Sequence, residues 1–175
     1  MDIMPKDRNI LDFQPGNRLR WRAVNDGVMG GVSRGGIQRT NENTGLFSGI
    51  LSLDNNGGFA SVRTDLGACD LSEEAGLEIR VRGDGRTYQV RLRTDDRFDG
   101  IAYRAEFATS KDEWTVAHIP FERFLPTFRG TRVTDAPPLD VSHTRQLAFM
   151  LADKRPGAFS LEIDYVRGWR GDEHR

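Results

Sequence analysis

Cysteine is nearly missing: Cys69 stands alone among 175 residues. No internal disulfide can form, which suits a reducing compartment. Lysine is almost as scarce, with Lys6, Lys111 and Lys154 the only three among 25 basic residues. A surplus of either charge is lacking too, since 26 acids leave a net charge of −1. No overall field draws the chain to nucleic acid or to an anionic membrane, and neither is expected as a partner. No window approaches the roughly 20 apolar residues that cross a bilayer. The start "MDIMPKDRNILDF" has neither a signal-peptide core nor an Arg/Ser-rich amphipathic pattern. These features predict a cytoplasmic chain that is not an integral membrane protein.

Helical periodicity is also nearly absent, and alternation with a period of two takes its place. "GLFSGILSL" assigns Phe47, Gly49, Leu51 and Leu53 to one face, and "FASVRTDL" is a shorter strand candidate. In "GLEIRVRGDGRTYQVRLRTDD", Leu77, Ile79 and Val81 alternate with charged residues, as do Tyr88, Val90 and Leu92. The intervening Gly/Asp turn predicts a β-hairpin. "IAYRAEFA" turns Tyr103, Ala105 and Phe107 inward, "EWTVAHIPF" is read with Trp114 and Val116 inward, and "GAFSLEIDYVRGW" buries Phe159, Leu161 and Ile163. Short strands at this spacing predict an all-β antiparallel sandwich. The length fits one domain, 1–175, with a core from about 13 to 168.

Catalytic spacings are missing as well. His118, His143 and His174 sit singly, no metal-binding or nucleophile-elbow motif occurs, and the acid pairs Glu73/Glu74 and Asp95/Asp96 fall in turns. "DNNGG" reads as a tight turn rather than a calcium loop, and neither "GDG" nor "GVMGG" opens a helix as a phosphate loop must. No enzyme activity, cofactor or metal is expected. What the chain has is arginine. Alternation predicts Arg80, Arg82, Arg91, Arg93 and Arg104 on one side of adjacent strands, interleaved with Glu78, Gln89 and Glu106. Such a face is either a solvated salt-bridge ladder or a shallow groove for a polar ligand or an acidic partner surface.

"WRAVNDGVMGGVSRGG", Trp21 to Gly36, places five glycines in a stretch without regular periodicity. Together with "FSGILSLDNNGGFASVR", "GLEIRVRGDGRTYQVRLRT", "IPFERFLPTFRG" and "GAFSLEIDYV", in that order from about Phe13 to Val166, it resembles the family named for complex I intermediate-associated protein 30. The resemblance implies a galactose-binding-domain-like jelly roll, related in architecture to carbohydrate-binding modules. It further implies a non-enzymatic assembly factor for NADH:ubiquinone oxidoreductase, whose protein partners are complex I subunits or assembly intermediates. A module that binds a glycan or another small polar ligand is the alternative. The glycine loop is expected to cross one end or edge of the sandwich. Gly27, Gly30 and Gly31 would take conformations closed to other residues, Asn25, Asp26 and Ser33 would bond its backbone, and Met29 would plug an apolar gap.

Overall fold

The computed structural model describes residues 9–17, 19–97 and 99–171, apart from the side chains of Val28, Met29 and Asn56. Its strands are β1 (Asn9–Asp12), β2 (Trp21–Ala23), β3 (Arg34–Arg39), β4 (Gly45–Leu51), β5 (Ala60–Cys69), β6 (Gly76–Arg82), β7 (Thr87–Arg93), β8 (Ala102–Ala108), β9 (Trp114–Pro120), β10 (Leu125–Phe128), β11 (Thr131–Arg132), β12 (Thr144–Leu151) and β13 (Gly157–Trp169). They form two sheets. The first runs β3-β4-β13-β6-β9, with β1 also on β13, and the second runs β11-β10-β8-β7-β12-β5-β2. All pairings between named strands are antiparallel, as the alternating sequence predicts.

The core is the layer where the two alternating sets meet. Phe47, Ile79, Val81, Leu161 and Ile163 from the first sheet face Val62, Tyr88, Val90, Leu147 and Phe149 from the second, all fully buried. Aromatic rings knit the layers: Phe47 lies 5.0 Å from Phe159 and 6.2 Å from Tyr88, both edge-on. Each such side chain contributes about 1.5–3 kcal/mol on burial, enough in sum to hold the sandwich together without a disulfide.

Three expectations about the strands fail. β6 and β7 do not form a hairpin: β6 lies between β13 and β9, and β7 between β12 and β8. The "GDG" turn carries the chain from one sheet to the other. Tyr88 Oη donates to Asp84 from the buried side, and Ser160 N donates to Asp84 Oδ2 at 2.8 Å. Alternation fixes the inward side chains of two successive strands equally well whether they pair or face each other across a core.

The phase of β9 is also inverted. Its register pairs Ile119 with Leu77 and Ala117 with Ile79, so Trp114, Val116 and His118 point outward and Val116 is 46% exposed. Ile119 fills the core instead. Leu53, placed inward by extension of β4, lies past the strand end and is exposed.

Candidate functional site

The crossing between sheets separates the five arginines predicted to share a face. Arg80 and Arg82 of β6 project from the outside of the first sheet, while Arg91 and Arg93 of β7 and Arg104 of β8 project from the outside of the second. Glu106 stays with the second group, opposite Gln89.

On the first sheet every one of these cations has an acid. Arg82 donates to Glu162 at 2.6 Å and Arg80 to Asp164 at 2.7 Å, and Arg167 lies 3.4 Å from Glu78. Guanidinium groups also cover the aromatic rings: Arg80 and Arg82 sit 4.4 and 5.2 Å above Trp114, and Arg167 sits 3.9 Å above Tyr165. His118 stacks on Trp169 at 4.9 Å and bonds Glu78 at 3.1 Å. Burial alone would raise the Glu78 carboxyl; the hydrogen bonds from Tyr165 and His118 and the Arg167 charge outweigh it and hold the group low. This face is a ladder satisfied within itself.

The second sheet differs. Arg104 pairs in register with Arg91, Arg91 with Ala148, Ala148 with Arg63, and Arg63 with Arg22, so four arginines and one alanine form a straight row across β8, β7, β12, β5 and β2. These side chains point away from the core, yet Arg91 is 8% exposed, Arg63 6% and Gln146, one row along, 1%. Neighbouring groups therefore cover much of this face. At one end the chain after β7 folds over it: Gln146 donates to the carbonyls of Asp95 and Arg97, and Arg93 donates to that of Gly100 at 2.7 Å.

At its two ends the row meets acids, and the Asp65 and Asp99 charges also act on Arg63. Arg22 meets Asp65 at 3.3 Å and Arg104 meets Glu106 at 3.7 Å. Arg91 bonds neutral atoms, donating to Gln89 Oε1 at 2.8 Å and Thr127 Oγ1 at 3.4 Å and touching Met150 Sδ. Burial, followed by repulsion from Arg93, Arg104 and Arg63, pushes the Arg91 guanidinium down to about 10. Arg63 is likewise lowered to about 10, by burial first and then by Arg93 and Arg22. Chemically the row is cationic, desolvated at Arg91 and Arg63 and more open at Arg22 and Arg104, and planar guanidinium forks of this kind suit carboxylates and phosphates. Sequence reasoning missed Arg63 and Arg22. The signal was present in "ASVRTDL", where Arg63 falls out of phase with inward Ala60 and Val62, but the neighbours of that strand were not legible.

The glycine loop lies where expected, joining β2 at the edge of the second sheet to β3 at the edge of the first. Its pivot is Asp26, wholly buried. Asp26 Oδ1 accepts from Ser33 N at 2.9 Å, and Oδ2 accepts from Gly58 N at 2.7 Å and Phe59 N at 3.2 Å. Burial would raise this carboxyl, but those bonds together hold it below its usual 3.8. Asn25 bonds Gly35 O and Ser61 N, and Ser33 Oγ bonds the backbone of Ser52. Gly30 has a φ of +89°, and a Cβ on Gly31 or Gly57 would overlap the Asp26 carboxyl. Gly27 meets neither constraint: its φ lies outside the left-handed range and a Cβ there meets open space. The Met29 plug and His174 lie outside the described residues.

Asp140, Ser142 and His143 meet within one 3-10 turn, but both partners use the same ring nitrogen: His143 Nδ1 lies 3.0 Å from Ser142 Oγ and 3.0 Å from Asp140 Oδ2. In a hydrolase triad the acid and the nucleophile occupy opposite nitrogens of the ring. This cluster instead caps the turn, with Asp140 Oδ1 accepting from Ser142 N.

The antiparallel jelly-roll sandwich is a fold that this chain shares with carbohydrate-binding modules. The Family 11 Carbohydrate-Binding Module of the cellulosomal cellulase Lic26A-Cel5E of Clostridium thermocellum superposes with a TM-score of 0.75 over 96% of this chain and 97% of that one, at 17% identity. Sequence gives the family: the pattern of Complex I intermediate-associated protein 30 (CIA30) matches residues 11–163, and the chain belongs to that family. The mitochondrial Complex I intermediate-associated protein 30 of Drosophila melanogaster is 29% identical over 90% of this chain and 61% of its own length. That of Mus musculus is 30% identical over 94% of this chain and 56% of its own length. The chain thus spans somewhat more than half of these relatives. Among the described residues no helix is long and apolar enough to cross a membrane.

Proposed function

We propose that the chain is a non-enzymatic binding module that takes part in complex I assembly, holding a protein partner against the outer face of the second sheet. The observation that carries this reading is the row of arginines on β8, β7, β5 and β2, with a buried Arg91 that hydrogen-bonds neutral side chains. Family membership supports the complex I connection, and the partners proposed are complex I subunits or assembly intermediates. The compartment proposed is the one where that complex is put together. The relatives are named as mitochondrial, so the cytoplasmic expectation applies only in a cell that assembles complex I from its cytoplasm.

Likeness to a carbohydrate-binding module supports the alternative of a glycan ligand. Against it, the row contains no aromatic side chain on which a sugar ring could stack, and the outward rings of the first sheet are covered by arginine and histidine. The test is affinity capture from the native host with tagged wild type and an Arg91→Glu, Arg104→Glu variant. Complex I subunits recovered by the first and lost by the second, with thermal unfolding showing that the variant bait is folded at the capture temperature, are expected. Capture unaffected by the double substitution removes this face.

A further inference from the structure

The arginine row has a length and a direction as well as a charge. Partners in register on neighbouring strands sit about 4.8 Å apart, so the line from Arg104 through Arg91, Ala148 and Arg63 to Arg22 runs about 19 Å at right angles to the strands. Ala148 leaves a gap in the middle of the line. The outer arginines hold exposed acids, Glu106 and Asp65, that an incoming anion can displace, whereas Arg91 is bonded to neutral side chains. The gain from an anion is therefore largest at the centre, where the guanidinium has already lost its water.

One compact oxyanion cannot engage both ends of such a line. An extended peptide can: side chains on one of its faces repeat about every 6.8 Å, so four alternate residues cover about 20 Å. Resting on the reading that this face holds a protein partner, we infer that the partner presents an extended acidic segment, with Asp or Glu at alternate positions, laid across the strands from β8 to β2. Charge complementarity selects the occupant. Along the row Arg104 and Arg22 meet Glu106 and Asp65 at the two ends, Asp95 and Asp99 act on Arg93 beside it and Asp65 and Asp99 on Arg63, while Arg91 at the centre bonds neutral groups and feels only other arginines.

The probe is a labelled, end-capped peptide of alternating glutamate and serine with four glutamates, titrated with the full chain at low salt and followed by fluorescence anisotropy. Binding is expected to weaken about tenfold or more in Arg91→Gln, to weaken in Arg104→Gln, to stay as in wild type in Arg82→Gln on the other sheet, and to fall as salt rises. A peptide with the same residues but its four glutamates contiguous is expected to bind more weakly. Thermal unfolding of each variant shows that loss is not unfolding. Equal binding of the two peptides, equal binding by Arg91→Gln and wild type, or displacement by millimolar inorganic phosphate at constant ionic strength overturns the inference. If complex I subunits are captured by wild type and lost with Arg91→Gln while the peptide fails to bind, the acidic segment is wrong and the docking face stands. If capture persists in Arg91→Gln, the docking face itself is wrong.

Discussion

Arg91 on β7 and Arg63 on β5 are both in register with Ala148 on the strand between them, so two buried arginines flank the small side chain at the centre of the second sheet. Burial first, and then repulsion from neighbouring arginines, lowers the proton affinity of both guanidiniums and opposes folding. Arg86 shows what a structural arginine looks like in the same chain. It is as buried as Arg91 but grips Asp153 with two bonds of 2.9 Å and also donates to the carbonyls of Arg155 and Ala158.

That contrast gives opposite signs for the same substitution. Arg91→Met removes a desolvated charge that hydrogen-bonds neutral side chains and is expected to raise stability by about 1–3 kcal/mol. Arg86→Met strands the Asp153 carboxylate and is expected to lower stability by about 3–5 kcal/mol. Urea unfolding of the two variants checks the pair, and destabilisation by Arg91→Met refutes the assignment of strain to the row.

Asp26 holds together the loop between the sheets. Asp26→Ala leaves the amides of Ser33, Gly58 and Phe59 without their acceptor and is expected to cost about 2–4 kcal/mol. Gly31→Ala forces a Cβ into the same carboxylate and is expected to cost about 1–3 kcal/mol, whereas Gly27→Ala, with open space at its Cβ, stays within about 0.5 kcal/mol. Thermal unfolding of the three variants ranks them.

The same carboxylate sets a pH dependence. Its folded pKa lies below the usual 3.8, so on acidification the unfolded chain takes up the proton first. The stabilisation is complete above the unfolded pKa and disappears as pH falls through the folded one. Melting temperatures of wild type and Asp26→Asn are therefore expected to differ most at neutral pH and to converge below about pH 4. A gap that stays constant down to pH 2 contradicts the role of the charge.

The phase of β9 can be tested at two neighbouring positions. Ile119→Ala empties a core site and is expected to cost about 2–5 kcal/mol, while Val116→Lys on the solvent side is expected to change stability by less than about 0.5 kcal/mol. Reversal of that order in chemical denaturation restores the inward placement of Val116.

Much of this fold was legible in the chain. A period of two identifies strands because successive side chains point to opposite sides, and it assigned Phe47, Ile79, Tyr88, Phe107, Leu161 and Ile163 to the interior without knowledge of any pairing. In "EWTVAHIPF" it failed because both sides of the strand carry apolar residues, leaving the choice to register with β6. The loop around Asp26 was readable from its glycines and short polar side chains, although not its reach to Gly58.

The residues alone thus determined a two-layered β-sandwich, the inward faces of most strands but not of β9, and its family, since alternation, turn chemistry and the loop motif are properties of short segments. Which strands lie side by side was decided only in three dimensions. Pairing depends on contacts between distant parts of the chain, and it sent β6 and β7 to different sheets, leaving Arg80 and Arg82 with acids and gathering Arg91 and Arg104 with Arg63 and Arg22.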